Sequence, residues 1–257
     1  MTTAEPAEKV RLTQQTAAAW REGRFAAVGR SVPPARPARP ERPVLRPPRE
    51  MAKRGRAISL KGRIALLHAL AHIELNAIDL AWDIVIRFPD EAMPEAFVAD
   101  WVTVADDEAR HFDLLARRLA DFGAAYGDLP AHDGLWQAAE ETADDLAARL
   151  AVVPMVLEAR GLDVTPRTVA GLRAHGDEIS AGLLQTIHDD EITHVAAGTR
   201  WFEFLCTRRG IEPVAAWHAL LVGSFKGVLK PPFNDQSRAQ AGLSEAYYKA
   251  PAPLDPP

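Results

Sequence analysis

Apolar residues recur every three or four positions along four long stretches of the chain, which is the period of an amphipathic α-helix. The predicted long helices cover about residues 59–87, 95–122, 134–160 and 177–209. Ser59 is a candidate N-cap, and the helices end before Pro89, Gly123, Gly161 and Gly210 in turn. Shorter helices are predicted over 5–21, 166–175 and about 213–228, and no stretch alternates like a β-strand. We therefore predict an all-α protein with a four-helix bundle as its core.

Proline and charge divide the chain into three parts. Residues 30–50 contain seven prolines, a density that excludes helix and predicts an extended linker. We predict an N-terminal helix with a Pro-rich basic arm over 1–58, the bundle over 59–210, and a C-terminal helix and tail packing on the bundle over 211–257. The Pro-rich residues 230–257 are predicted to be irregular.

The charge of the arm is opposite to that of the bundle. Residues 1–63 hold 15 Lys and Arg against 5 Asp and Glu, or +10, and the remainder holds 15 against 30, or −15. One interpretation is that the basic arm lies on the acidic bundle of its own chain. The other is that it contacts an anionic partner such as RNA, although no interleaved aromatic residues support that.

Composition excludes several classes of protein. Hydrophobic residues make up 47% of the 257 residues, enough for a sizeable core, and a single cysteine, Cys206, excludes an internal disulfide. We find no signal-peptide pattern and no 18-residue apolar run, so we expect a soluble cytoplasmic protein. The motifs of nucleotide-binding loops and of zinc sites are missing. None of the three tyrosines, Tyr126, Tyr247 and Tyr248, lies on a metal-bearing stripe, which argues against a radical-storing tyrosine.

One glutamate interrupts the apolar stripe of each long helix. These residues are Glu74, Glu108, Glu158 and Glu191, of which Glu158 fits its stripe least well. A buried carboxylate without a partner costs several kcal/mol or becomes protonated. Two divalent ions would balance the charge of all four.

Two of these glutamates begin a Glu-x-x-His motif, Glu108 to His111 and Glu191 to His194. Residues three apart on a helix project side by side and can hold one metal. Each motif follows a lone glutamate at a similar interval, 34 residues after Glu74 and 33 after Glu158, which makes a two-fold pseudo-repeat. This is the arrangement of di-iron and di-manganese carboxylate bundles. Oxygen and imidazole ligands predict two metal ions, iron first, with manganese or a mixed manganese–iron pair as alternatives.

Several neighbouring residues allow two interpretations each. Asp107 and Asp190 precede the motif glutamates, either as hydrogen-bond partners of the metal-bound histidines or as solvated acids. His188 is a seventh ligand, a second-shell donor or a hydrogen-bonded core histidine. Pro154 either kinks the third helix and so opens a pocket, or it serves only the local packing of that helix. His68, His72 and Asp79 lie opposite Glu74 and are expected to contact neighbouring segments such as the arm.

Five segments resemble a ferritin-like family catalogued as a domain of unknown function: 59–83, ADDEARHF (105–112), LEARGLDV (157–164), HDDEITHV (188–195) and FKGVLKPPFN (225–234). That family is similar to the tRNA hydroxylase MiaE. The resemblance implies a ferritin-like four-helix bundle with metal ligands Glu74, Glu108, His111, Glu158, Glu191 and His194. Glu108 and Glu191 would be the bridging ligands.

These observations predict an O₂-dependent di-metal oxidase or hydroxylase. Its substrate would be an unknown small molecule or a modified nucleoside, with an electron donor as a partner and a homo-oligomer as a further possibility. Two alternatives remain. One is an iron-handling ferroxidase, and the other is a helical binding module that holds no metal.

Overall fold

The computed structural model describes residues 1–25, 28–51 and 59–249, and within them the fold is all-α, as predicted. No β-strand occurs in this part of the chain, where Leu45 and Ala131 form an isolated bridge. The helices are α1 (Pro6–Arg21), α2 (Leu60–Arg87), α3 (Glu95–Asp121), α4 (Gly134–Glu141), α5 (Leu146–Val152), α6 (Ala159–Ala174), α7 (Glu178–Arg209), α8 (Pro213–Ser224), α9 (Asp235–Gln240) and α10 (Glu245–Tyr248). A π-helical turn, Val153–Glu158, joins α5 to α6.

The bundle consists of α2, α3, the continuous α5–α6 segment and α7. The predicted start of α2 is confirmed, because the Ser59 side chain accepts a hydrogen bond from the Gly62 backbone N–H at 3.1 Å. The predicted end of α7 is also confirmed, at Gly210 with a φ of 67°. Helix α2 is long and apolar enough to cross a membrane, but 67% of its most apolar stretch is buried inside the protein. No such apolar stretch was expected from the sequence, so α2 differs from the prediction here, and the burial of the stretch is that of a core helix.

The third long helix differs from the prediction. It begins at Leu146, where Asp145 accepts a hydrogen bond from the Ala147 N–H at 2.9 Å, and it runs through Gly161 to Ala174. Residues 134–141 form the separate helix α4, and the predicted helix 166–175 is the end of α6. Pro166 is tolerated inside α6, because the Leu162 carbonyl that its missing N–H leaves free accepts from Asn234 Nδ2 at 3.1 Å.

The π-helical turn explains why Glu158 did not fit the apolar stripe. A π turn contains an extra residue, so it shifts the phase of its last side chains, and of those that follow it, relative to a continuous α-helix. Pro154 is buried within this turn and packs against Gly198 of α7, where a Cβ atom would collide with the proline ring. The close approach of α7 to the turn therefore depends on Gly198, which supports the packing interpretation of Pro154.

The N-terminal arm lies on the bundle. Helix α1 packs on α3, and Lys9 and Arg39 both pair with Asp79 of α2, which is fully buried. The arm continues to the loop after α3, where the Arg46 N–H donates to the Ala131 carbonyl at 2.8 Å. These contacts match the interpretation in which the basic arm covers the acidic bundle of its own chain. Residues 26–27 and 52–58 lie outside the described part.

The C-terminal tail is more ordered than predicted. Helix α8 ends at Ser224 rather than near 228, and α9 and α10 fall within the stretch predicted to be irregular; residues 250–257 lie outside the described part. Arg238 of α9 donates to both carboxylate oxygens of Asp163 on α6, each at 2.8 Å. This buried bidentate pair fastens the tail to the bundle.

Candidate metal centre

The four glutamates and two histidines form a polar layer between two apolar clusters. One cluster includes Ala105 of α3 and Val195 of α7, and the other includes Phe112 of α3 and Ile187 of α7. The motif residues stand between these neighbours on the same two helices. Glu74 enters from α2 and Glu158 from the end of the π-helical turn. Four of the six predicted ligands, Glu74, Glu108, His111 and Glu191, form one group that could hold a metal ion. His194 lies beside Glu108 and Glu191, and the charges of Glu191 and Glu108 act on Glu158.

Glu108 stands between the two histidines. Its Oε1 lies 3.1 Å from His194 Nδ1, and its Oε2 lies 3.5 Å from His111 Nδ1. Glu74 Oε2 lies 3.4 Å from His111 Nδ1, and Glu191 Oε2 lies 3.5 Å from His194 Nδ1. Glu74, Glu108, His111 and Glu191 each offer a ligand atom within 4.8 Å of the others.

The ligand atoms approach one another without forming good hydrogen bonds. Seven buried atoms of the six residues have no hydrogen-bond partner in the described structure: Glu74 Oε2, Glu108 Oε1 and Oε2, His111 Nδ1, Glu158 Oε2, Glu191 Oε2 and His194 Nδ1. Buried polar atoms are almost always satisfied, so seven exceptions at one place require an explanation. A shared cation is the simplest one, because each of these atoms is a metal donor.

The pKa shifts of the buried ligand residues also indicate that this layer lacks positive charge. Burial raises the pKa of Glu74 well above its usual range, and the nearby Glu108 carboxylate raises it further. Burial and Glu191 likewise raise the pKa of Glu158 well above its usual range. Burial opposes protonation of His111, but the hydrogen bond with Asp190 and the negative charge of the nearby Glu108 outweigh it and raise its pKa to about 12. These shifts favour protonation of Glu74, Glu158 and His111 where no metal ion supplies the positive charge.

The Nε2 atom of each histidine contacts the aspartate that precedes the Glu-x-x-His motif on the other helix. His111 Nε2 of α3 lies 3.0 Å from Asp190 Oδ2 of α7, and His194 Nε2 of α7 lies 3.4 Å from Asp107 Oδ2 of α3. The hydrogen bond with His111 is the main reason that the pKa of Asp190 falls to about 2. This exchange leaves both Nδ1 atoms facing the glutamates, as metal-binding histidines require.

Arg110 joins the two aspartates, a role that the sequence reasoning missed. Its Nη2 donates to Asp107 Oδ1 at 2.9 Å and to Asp190 Oδ2 at 2.7 Å. The residue stands inside the first Glu-x-x-His motif, but its second partner is 80 positions away. Nothing in the local spacing shows that pairing, because it depends on how α3 and α7 pack.

The remaining candidates lie apart from the ligand layer. His188 Nε2 is 3.3 Å from Ser237 Oγ of the tail, and its Nδ1 is 3.2 Å from Asp189 Oδ1. These contacts are those of a hydrogen-bonded core histidine rather than of a metal ligand or a second-shell donor. His72 Nδ1 lies 2.9 Å from the Tyr126 hydroxyl. The hydroxyls of Tyr247 and Tyr248 bind Glu203 and Asp235 respectively.

The donor set fits iron or manganese. Four carboxylates contribute hard oxygen atoms, and two imidazoles contribute nitrogen, a combination that suits these metals better than the thiolate sets of structural zinc. Two divalent ions would offset the four negative charges. The buried group of glutamates and histidines could therefore hold a metal ion.

Comparison with known proteins identifies the family but not an activity. The model of a family described as "Protein of unknown function (DUF455)" matches residues 2–249. An uncharacterized protein of Haemophilus influenzae is 42% identical over 215 residues, which cover 80% of this chain and 73% of that protein. No solved structure matches the chain significantly.

Proposed function

This chain belongs to the family described as Protein of unknown function (DUF455), and we propose that it is a ferritin-like di-iron carboxylate protein that uses O₂ to oxidise or hydroxylate an organic substrate. Manganese, or a mixed manganese–iron pair, is the alternative metal content. The observation that carries the proposal is the set of seven unpartnered donor atoms on six residues that share one buried layer.

The ligands divide naturally into two half-sites. Glu74 and His111 would hold one ion, and Glu158 and His194 the other, with Glu108 and Glu191 shared between them. An iron pair bound there would supply redox chemistry with O₂, which protein side chains cannot provide by themselves. The carboxylates would balance the charge of the ions in their reduced state.

The surrounding residues prepare the centre for such chemistry. Asp107 and Asp190 hold the two imidazoles in one orientation, and Arg110 holds the two aspartates together. The apolar clusters on either side of the layer exclude bulk water from the ligands. Glu191 keeps 13% of its side chain exposed, whereas Glu108 keeps 1%, so the α7 side of the layer is where small molecules would approach.

The proposed substrate is a small organic molecule or a modified nucleoside. The similarity to the tRNA hydroxylase MiaE favours a modified nucleoside, and a hydroxylation would also require an external electron donor. The cations of the arm favour a smaller substrate than a folded RNA, because Lys9, Arg21 and Arg39 are already paired with acidic residues of the bundle.

Metal analysis tests the proposal directly. The full chain would be purified, reconstituted with Fe²⁺ under anaerobic conditions, and analysed for iron per chain and for its spectrum before and after O₂ is admitted. We expect two irons per chain and an O₂-dependent spectral change. The Glu108→Gln variant should lose most of the iron, whereas Glu95→Gln, an exposed change on the same helix, should keep it. Normal iron content in Glu108→Gln would contradict the proposed site.

The two alternatives give different results in the same preparation. A ferroxidase or storage protein would consume Fe²⁺ and O₂ repeatedly and form a large particle measurable by light scattering. A helical binding module would contain no metal, and a chelator would leave its melting temperature unchanged. Metal that binds only the folded state raises the melting temperature by mass action, so this last comparison is decisive.

A further inference from the structure

A surface cavity of about 170 Å³ lies between the start of the chain, α1 and α2, on the arm side of the bundle. Polar side chains form much of its wall, together with the Trp82 ring: Thr2, Thr3, Lys9, Thr13 and Thr16. No acidic residue is among the described residues that line it. The cavity therefore presents donors without a carboxylate, which favours an anion over a cation as its occupant.

Lys9 is the one charged side chain among the described residues that line the cavity. Its side chain is 2% exposed, and its ammonium group donates to Asp79 Oδ2 at 2.5 Å and to the Ala38 carbonyl at 3.3 Å. An ammonium group has three N–H donors. The third has no partner among the described residues, although the group is almost completely removed from water.

The Thr13 hydroxyl is a second hydrogen-bond donor, and it has no acceptor among the described residues. Its side chain is buried, and its Oγ1 accepts a hydrogen bond from Trp82 Nε1 at 3.1 Å. A hydroxyl that accepts can still donate its own proton, and no acceptor for that proton occurs in the described part of the chain. Thr16 differs, because its hydroxyl already donates to the Leu12 carbonyl at 2.8 Å.

The charges beneath the cavity do not balance. Lys9, Arg39 and the Met1 ammonium group, whose nitrogen lies 3.7 Å from Asp79 Oδ1, all pair with the single buried carboxylate of Asp79, so positive charge is in excess here. Burial lowers the pKa of Lys9, and the neighbouring Arg39 cation lowers it further, while Asp79 opposes both effects. A bound anion would compensate for the excess charge and use both free donors.

We propose that this cavity is a binding site for a small oxyanion, a phosphoryl or carboxylate group held by the Lys9 ammonium and the Thr13 hydroxyl. Its volume equals that of roughly five or six waters, enough for one such group with a short substituent. The site is separate from the metal centre. A test that contradicts the anion site would therefore leave the proposed function unaffected, and the reverse also holds.

Calorimetric titration of the full chain tests this site, with sodium phosphate in one arm and sodium acetate in the other at matched ionic strength. We expect saturable binding of one of the two at one site per chain, and the arm that binds distinguishes a phosphoryl from a carboxylate ligand. Thr13→Val and Lys9→Met should each weaken that binding at least tenfold. Thr103→Val, which removes an exposed helical hydroxyl on α3, should leave it unchanged.

Two outcomes would overturn the proposal. One is the absence of saturable binding in both arms, and the other is binding that Thr13→Val leaves intact. Circular dichroism of each variant checks the fold, because Lys9 also pairs with Asp79. If Lys9→Met does not fold, the Thr13→Val titration decides by itself, since that substitution changes no charge.

Discussion

His111 Nε2 lies 3.0 Å from Asp190 Oδ2, although the two residues belong to different halves of the pseudo-repeat and are 79 positions apart. His194 makes the reciprocal contact with Asp107. Each half-site therefore depends on the helix that carries the other half. Because of this exchange, neither Glu-x-x-His motif can be oriented by its own helix alone.

The first prediction concerns this exchange. Asp190→Asn keeps the shape of the side chain but removes the charge that His111 and Arg110 share. Loss of such a partner typically lowers metal affinity about 10- to 100-fold, and we expect a decrease of that size in a competitive metal titration. Asp113→Asn, on the outer surface of α3, serves as the matched control. Equal affinities for the two variants would show that Asp190 has no influence on the ligands.

The second prediction concerns the contact between Gly198 and Pro154. An alanine at 198 would place its Cβ against the proline ring, and overpacking of this kind costs about 1–3 kcal/mol of unfolding free energy. Gly182→Ala lies on the same helix with open space around it, and it should stabilise by up to about 1 kcal/mol. Urea denaturation of the two variants measures the difference. The prediction fails if Gly198→Ala is as stable as Gly182→Ala.

The third prediction concerns a buried ion pair that the sequence did not reveal. Arg149 Nη1 lies 2.5 Å from Asp83 Oδ2, and both side chains are fully buried. Arg149→Met leaves Asp83 with Arg87 as its remaining cation, so we expect a loss of about 3 kcal/mol of unfolding free energy. Arg117→Met breaks an exposed pair with Asp113 and should cost less than about 1 kcal/mol. Denaturant titration would reveal a loss of similar size in both variants if the burial of Arg149 were unimportant.

The fourth prediction concerns pH. His68 Nε2 accepts hydrogen bonds from the backbone N–H groups of Gly127 at 2.9 Å and Leu129 at 3.3 Å, so the folded state requires a neutral ring. Burial lowers the pKa of His68 below its ordinary value of 6.5. The folded state therefore binds fewer protons than the unfolded state, and the stability that His68 contributes is present above pH 6.5. It is lost as pH falls through the folded pKa, by at most about 1.4 kcal/mol per pH unit.

A substitution isolates this contribution. His68→Gln keeps an acceptor but cannot titrate, so its unfolding free energy should fall less steeply between pH 7.5 and 5 than that of the unaltered chain. Chemical denaturation at a series of pH values measures both slopes, and identical slopes would contradict the assignment. The residue lies on the side of α2 opposite the ligand layer, so metal content can be held constant.

The two Glu-x-x-His motifs could be predicted from the sequence, whereas the position of Glu158 could be predicted less well. Glu108 with His111, and Glu191 with His194, follow from a spacing of three on a helix, which is a local property of the chain. Glu158 fitted its stripe poorly because it ends the π-helical turn, whose extra residue changes the phase of the helix. That turn contains Pro154, which packs against Gly198. The spacing of apolar residues in the sequence does not reveal the turn.

The sequence by itself determined the helical class, the ends of three long helices and the residue types of a candidate metal site, because helix period, capping and ligand spacing are short-range properties. Only the tertiary structure decided that the arm lies on the bundle, that residues 146–174 form one continuous segment, and that Asp107 and Asp190 exchange partners across α3 and α7. These contacts join residues far apart in the chain. Their free energy arises from burial and charge pairing, which exist only once the helices have packed.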